Sequence, residues 1–303
     1  RALEDYSSSI QILESLHDGE IADYPAPWTH RLAIGCLGRG KLLARISGSG
    51  LRSPLEDLTR AHELFALPHI RVLSRGDWLS ASLALARQLV IGNRPEDALN
   101  IIMAAGSDRL VSLIGAVTLE ERNTLLRRGG ELVNLGAVLL AKMRRPGAAL
   151  VLLEQQRGMI LKESLLRDPD ILVERGVSSE LARSIAASRQ RLHELRHFLV
   201  ESDGGRTQSS STSSVREDLS FEMRSIVEQL LATVASIPDD VIGASLSLDD
   251  MVQLAPDKGL IAVPVTSDIG TVAFFIRSDG NVSFIELPKN DAVQFRDLVV
   301  RMF

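Results

Sequence analysis

The sequence predicts a mostly α-helical protein, with an α–α superhelix followed by a small α/β region of antiparallel β-hairpins and helices. Aromatic residues make up only 4% of the 303 residues, and Leu, Ala, Ile and Val supply most of the apolar content. Helical patterns recur at a spacing of about 50 residues in the first half, which is typical of helical repeats. Three short apolar runs near the end alternate with turn residues, which favours β-hairpins.

Two pairs of segments repeat along the first half. Residues 3–13 align with residues 55–65, and residues 94–102 align with residues 145–153. The aligned helices carry a small residue four positions before a large one, as in the pairs Ala61–Phe65, Ala98–Ile102 and Ala149–Leu153. A small residue one turn before a large one lets two helices approach closely and interlock.

Each of the last two repeat helices starts at a proline, Pro95 or Pro146. Proline is favoured at the first helical position, where its missing N–H costs nothing. Another apolar-periodic helix precedes each of them, over residues 78–91 and 131–143. The pattern therefore predicts helix–turn–helix units.

The character of the chain changes after residue 201. Residues 202–215 are rich in Ser and Gly, which predicts a flexible linker. A helix is predicted over residues 219–237, and strands over 260–266, 271–277 and 282–287, separated by turns that contain Asp and Gly. The predicted organisation is helical repeats over 1–160, connecting helices over 161–201, the linker over 202–215 and an α/β domain over 216–303.

Residues 149–158 read ALVLLEQQRG and are similar to the Ala-Leu-x-Leu-Leu-Glu-x-x-Arg-Gly signature that joins tetratricopeptide (TPR) arrays to CHAT domains. Residues 165–172 and the apolar runs at 260–265, 273–276 and 285–288 follow in the order expected for that family. The chain therefore resembles TPR–CHAT proteins over roughly residues 75–303. The resemblance implies TPR-like repeats that lead into a caspase- and separase-like domain.

CHAT proteins are inferred cysteine proteases with a His–Cys dyad, which the family carries after the Leu-Pro that ends the early strands. Only fifteen residues follow Pro288, and none is His or Cys. The chain also begins at Arg1 rather than Met, so we expect a fragment that stops before any catalytic residue. The expected function is the protein-interaction and regulatory scaffold of a caspase-like protease, inactive as given and without a cofactor. A purely structural helical-repeat protein is an alternative.

A second alternative is a zinc metalloprotease, because His193, Glu194 and His197 fit the His-Glu-x-x-His motif. Two imidazoles one helical turn apart can bind zinc, with the glutamate polarising water. Arg196 places a cation beside the expected metal, and no histidine follows His197. We therefore expect no metal at this motif.

Residues 35–41 spell Gly-x4-Gly-Lys, which is most of a phosphate-binding loop. The next residue of that motif must be Ser or Thr to bind Mg²⁺, and here it is Leu42. A helix made rich in glycine for close packing is the favoured interpretation.

The TPR resemblance implies that the first helix of each unit lines a groove for a protein or peptide, possibly the chain's own CHAT-like domain. At helical spacing from Ala86 and Ala137, the predicted groove carries apolar anchors together with Arg87 and Lys142, which would meet acidic groups. The predicted partner-binding residues are Leu83, Arg87, Ile91, Asn134, Val138 and Lys142.

The charge pattern bears on the class of partner. Residues 1–200 hold 26 basic and 23 acidic side chains, whereas residues 201–303 hold 8 and 16. Neither part has the clustered positive charge that nucleic-acid binding needs. The longest apolar runs are too short to span a bilayer. One cysteine, Cys36, allows no internal disulfide and favours the cytoplasm.

Overall fold

The computed structural model describes residues 2–15, 26–46, 53–71, 74–107, 113, 116, 119–204, 211–237, 246–257 and 259–287. The first helices are α1 (Ala2–Ser15), α2 (Ala26–Arg45), α3 (Pro54–Ala66), α4 (Pro68–Arg71), α5 (Arg75–Ile91) and α6 (Pro95–Ser107). They are followed by α7 (Leu119–Lys142), α8 (Pro146–Leu165), α9 (Pro169–Glu174), α10 (Ser179–Gly204), α11 (Ser211–Ala235) and α12 (Leu248–Gln253). Three strands follow: β1 (Leu260–Ser267), β2 (Gly270–Arg277) and β3 (Val282–Leu287). The predicted class, mostly α with a small antiparallel sheet, is confirmed.

The chain forms two compact units. The first unit holds residues 1–129 and 163–242, and the second holds residues 130–162 and 243–303. Helices α7 and α8 each contribute residues to both units. None of the helices that the structure describes is long and apolar enough to cross a membrane.

In the first unit, consecutive helices pack side by side. Helix α2 packs on α1 and α3, and α5 packs on α3 and α6. The core between them is apolar, with Leu32, Leu58, Phe65, Leu79 and Ile102 fully buried. One buried ion pair crosses this core, because Arg39 donates to both carboxylate oxygens of Asp57 at 2.7 Å.

The glycines of residues 35–41 lie within helix α2 and serve its packing. A β-carbon at Gly38 would lie 2.5 Å from the ring of Tyr6, and one at Gly40 would lie 2.8 Å from Leu58. At Gly35 the side chain of Ile10 would be 3.1 Å away. The segment is therefore a close-packing surface of a helix, as the sequence favoured.

The turn between helices α5 and α6 is repeated between α7 and α8 at a spacing of 51 residues. Arg94 N–H donates to Leu89 carbonyl at 2.8 Å, and Arg145 N–H donates to Leu140 carbonyl at 2.8 Å. In each turn the preceding residue is left-handed, Asn93 with φ 56° and Arg144 with φ 60°. The second helix then starts at Pro95 or Pro146, as predicted. The sequence repeat is thus a structural repeat of the helix–turn–helix.

The rest of the first unit is a small helical cluster formed by α9, α10 and α11. Its buried core includes Leu172, Ile185, Leu192, Met223 and Leu230. Arg191 of α10 also donates to Glu222 of α11 at 2.8 Å. Helix α11 therefore packs with the connecting helices, whereas the sequence placed residues 216–303 in a separate domain.

The predicted linker is largely helical where the structure describes it. Residues 202–204 end helix α10, and residues 211–215 begin helix α11. Serine- and glycine-rich composition was the basis of the prediction, but helices α10 and α11 extend into the segment from either side. Residues 205–210 lie outside the described residues, so mobility there stays a prediction.

The second unit combines the end of α7 and most of α8 with α12 and the sheet. The strand order is β1-β2-β3, all antiparallel, with Val263 opposite Phe274 and Phe274 opposite Phe284. The observed strands match the predicted ones to within one residue at each end. Pro264, which has no N–H to donate, lies in β1 at an edge of the described sheet, where it is tolerated.

Candidate functional site

A polar cluster joins helices α2, α5 and α7 in the first unit, with the carboxylate of Asp77 at its centre. His30 Nε2 lies 3.7 Å from Asp77 Oδ2, and Arg128 Nη1 lies 3.7 Å from Asp77 Oδ1. Lys41 is close enough for its charge to act on Asp77, and the charge of Arg87 acts in turn on Lys41. We call Lys41, Asp77, Arg87 and Arg128 the basic cluster.

Helical spacing places these side chains on matching faces. His30, Ile34 and Lys41 recur on α2 at intervals of four and seven residues, which is one face of a helix. Arg87 follows Asp77 by ten positions on α5, which is about 2.8 turns and places the two side chains about 80° apart, on the same side of that helix.

Gly76 allows helix α7 to approach α5 at this point. Arg128 Nη1 donates to the carbonyl of Gly76, and a β-carbon there would lie only 3.2 Å from the same nitrogen. The backbone bond fixes the Arg128 guanidinium beside Asp77. A side chain at position 76 would therefore disturb the cluster.

The electrostatics of the basic cluster are unbalanced, since two cations, Lys41 and Arg128, act on the one carboxylate of Asp77. The imidazole of His30, 3.7 Å away, lowers the pKa of Asp77 most, against the effect of burial, and the charges of Arg128 and Lys41 add to the lowering. The Lys41 ammonium reaches solvent, yet desolvation by the surrounding protein lowers its pKa, as does the charge of Arg128. Asp77 opposes that shift only in part, so the cluster has positive charge left to offer.

A shallow crevice of about 500 Å³ lies on helix α7 next to the cluster. Its described lining residues are Glu120, Asn123, Thr124 and Arg127. Thr124 also lies beside Gly76, since its methyl group would be 4.0 Å from a β-carbon there. The crevice and the cluster therefore adjoin along one face of α7.

The three groove residues predicted on α5 differ in exposure. Leu83 is only 5% exposed and belongs to the core, whereas Arg87 is half-buried and Ile91 is 73% exposed. A helix turns 100° per residue, so an error of one position moves a side chain from the surface to the core. The half-buried face of α5 runs through Asp77 and Arg87, and Leu83 lies in the core instead.

The other three predicted groove residues belong to the second unit. Val138 is fully buried, and its methyl group would lie 3.9 Å from a β-carbon at Gly270. Lys142 donates from Nζ to the carbonyl of Ile269 at 2.7 Å, in the turn between β1 and β2. Asn134 is half-buried. Lys142 thus does meet the predicted α/β region, but through a backbone carbonyl rather than an acidic side chain.

The His-Glu-x-x-His motif lies on helix α10. The rings of His193 and His197 are 6.4 Å apart, and Glu194 accepts hydrogen bonds from Arg191 and Gln190. His193 and Glu194 are both exposed. The residues described here contain no group of three or more His, Cys, Asp or Glu side chains that could hold a metal.

The only cysteine, Cys36, lies in helix α2 and has no exposed surface. Burial raises its thiol pKa to about 11. The thiolate is the nucleophilic form, so such a thiol is inert at neutral pH. Cys36 therefore belongs to the core.

No protein-family model matches the chain, and no curated protein or solved structure matches it either.

Proposed function

We propose that the chain is a protein-interaction scaffold whose basic cluster binds a segment of protein or peptide that carries carboxylates. The observation that carries the proposal is the pair of cations, Arg128 and Lys41, that act on Asp77, because one carboxylate balances only one of them. Arginine pairs well with carboxylates through two parallel hydrogen bonds. A second carboxylate, supplied by a ligand, would add to the attraction of Asp77, which opposes the lowering of the Lys41 pKa by desolvation and by the charge of Arg128.

Two exposed apolar side chains flank the cluster along the same helices. Ile34 lies on α2 between His30 and Lys41, and Ile91 lies one turn beyond Arg87 on α5. Apolar anchors beside paired charges are a common arrangement of peptide-binding surfaces. The proposed ligand therefore combines acidic residues with apolar ones.

We further propose that the helix pairs form a TPR-like array and that the sheet region is CHAT-like. The repeated turn at Asn93 and Arg144 and the three antiparallel strands support this reading. It would make the chain the regulatory portion of a caspase-like cysteine protease of the cytoplasm. No residue is given a catalytic role, since Cys36 is buried and inert.

The test uses the whole chain and short fluorescent peptides rich in Glu, Asp and Leu, with the same peptides carrying Gln and Asn as the reference. Fluorescence anisotropy should show binding of the acidic peptides alone. An Arg87→Glu/Arg128→Glu variant should lose that binding. Arg183→Glu/Arg277→Glu is the control with the same change in charge, because both side chains are exposed and lie outside the cluster.

Two results would contradict the proposal. One is equal affinity for the acidic and the amide peptides. The other is an equal loss of binding in the cluster variant and the control variant, which would indicate a general effect of net charge.

A further inference from the structure

A buried carboxylate in the first unit accepts hydrogen bonds from two arginine side chains. The side chain of Glu163 is 1% exposed, and its Oε2 accepts hydrogen bonds from Arg122 Nη2 at 2.8 Å and Nε at 3.1 Å. Arg167 donates from Nε to the other oxygen, Oε1. Both carboxylate oxygens are therefore occupied by guanidinium groups.

A third arginine lies beside this pair. Arg189 of helix α10 donates from Nη1 to the carbonyl of Leu166 at 3.2 Å. Leu166 directly precedes Arg167, so the bond holds the Arg189 guanidinium close to the Arg167 backbone. No carboxylate of the described residues forms an ion pair with Arg189.

The charges of this group do not balance. Two guanidinium groups bind the Glu163 carboxylate, and that of Arg189 lies close enough for the Glu163 charge to act on it, which leaves two positive charges in excess. Burial lowers the pKa of Arg189 most, followed by the repulsion of Arg167, and the attraction of Glu163 offsets this only in part. Half-buried cations without a counter-ion are costly, so an anion that entered here would stabilise the fold.

The group is open to solvent on one side. The Arg122 side chain is 20% exposed and that of Arg167 is 36% exposed. Only one terminal nitrogen of Arg122 contacts Glu163, and Arg167 reaches it through Nε alone. The remaining N–H groups are donors that a ligand could reach.

We propose that Arg122, Arg167 and Arg189 form a binding site for a tetrahedral dianion, namely a phosphate group. Two excess positive charges match the charge of a phosphate monoester, and three planar donor groups suit an anion with three or four oxygens better than a carboxylate with two. Glu163 is the positioning residue, since it holds two of the three guanidinium groups in place. The phosphate could be free or part of a phosphorylated molecule.

The site is independent of the basic cluster on α2, α5 and α7, so each proposal can fail without the other. The first measurement is thermal unfolding of the whole chain in increasing inorganic phosphate, with chloride used to hold the ionic strength constant. A ligand that binds only the folded state raises Tm in a saturable way. The wild-type chain should show that rise.

Arg189→Gln should abolish the phosphate-dependent rise in Tm, whatever it does to the starting Tm. Arg191→Gln is the matched control, since it lies on the same helix and is half-exposed beside Glu222. The control should respond to phosphate as the wild type does. If Arg189→Gln fails to fold, Arg189→Lys keeps the charge but loses the planar fork, and its phosphate Kd should rise about tenfold.

A ³¹P NMR titration of inorganic phosphate gives a readout that does not depend on stability. Saturable broadening with the wild type and its loss in the Arg189 variant support the site, and O-phosphoserine tests whether a phosphomonoester binds more tightly than the free ion. Absence of saturable broadening in the wild type, or an equal response in the Arg189 variant and the Arg191 control, overturns the proposal.

Discussion

Asn93 and Arg144, 51 residues apart, occupy the same left-handed position in two turns between paired helices, with φ values of 56° and 60°. The hydrogen bonds around them match one for one, including those from Arg94 to Leu89 and from Arg145 to Leu140. The two turns are therefore copies of one backbone design, although their sequences differ.

This equivalence predicts the same response to substitution at both positions. A β-carbon in left-handed backbone costs roughly 1 kcal/mol, which glycine avoids. The free energy of unfolding of Asn93→Gly should thus be higher than that of Asn93→Ala by about 1 kcal/mol. The unfolding free energy of Arg144→Gly should be higher than that of Arg144→Ala by a similar amount. Urea denaturation measures both differences. A clear difference at one position only would show that the turns are not equivalent.

The glycines of helix α2 should behave differently from a glycine on an open helix face. Gly38→Ala places a methyl group against the Tyr6 ring and should destabilise the chain by about 1–3 kcal/mol. Beyond the local helix backbone, no atom of the residues that the structure describes comes within 4 Å of where a β-carbon at Gly130 of α7 would lie. Gly130→Ala should therefore stabilise the chain by about 1 kcal/mol, because alanine is the better helix former. Urea denaturation measures the change in unfolding free energy for each variant. A loss for Gly38→Ala and a gain for Gly130→Ala would confirm the packing role of Gly38, whereas a gain in stability for both variants would exclude it.

The buried pair of Arg39 and Asp57 should be far more important than an exposed pair. Asp57→Asn leaves the Arg39 guanidinium buried without a counter-charge, which should cost about 3–5 kcal/mol. Asp97→Asn, in the exposed pair with Arg94, is the control and should cost less than about 1 kcal/mol. Denaturation with guanidinium chloride measures the loss of unfolding free energy in each of the two variants. Similar losses in both variants would show that the burial of the first pair has no energetic consequence.

Lys41 should strengthen the binding of acidic peptides but lower the stability of the free chain. Its lowered pKa means that the charged form is disfavoured in the folded state. Lys41→Gln should therefore raise the Tm of the free protein and at the same time weaken binding of acidic peptides. Thermal unfolding and anisotropy, measured on the same preparations, test the two effects. A lower Tm in this variant would show that the folded state does not disfavour the charged form of Lys41.

Asp77 should make stability depend on pH in the acidic range. Because its pKa in the folded chain lies below the ordinary value of 3.8, it contributes stability above that value and loses it as the pH falls through its folded pKa. The difference in unfolding free energy between wild type and Asp77→Asn should be largest near neutral pH and should shrink below about pH 4. Urea denaturation at several pH values measures this difference. A constant difference across the range would show that Asp77 gains no net interaction on folding.

The sequence predicted the strands well because their signals are local. Short apolar runs are separated by two turns that contain Asp and Gly, and the structure moves no strand end by more than one residue. Pro95 and Pro146 marked helix starts for the same reason.

The basic cluster could not be predicted in the same way, since its members come from three helices. Arg87 was expected to face a ligand, but Lys41, Asp77 and Arg128 were missed. Their positions depend on how α2, α5 and α7 pack, and a local sequence pattern does not predict that packing. A useful signal was present in α2, where His30, Ile34 and Lys41 share one face of a helix that otherwise packs through its glycines.

The core position of Cys36 gives the first unit a natural reporter of its own opening. As the chain's only thiol, with no exposed surface, it can react with a thiol reagent only when helix α2 separates from its neighbours. The labelling rate in excess reagent therefore counts opening events at a single residue, in the unmodified protein. A ligand bound to α2 would slow that rate without touching the thiol, so occupancy of the basic cluster could be followed by the kinetics of one covalent reaction.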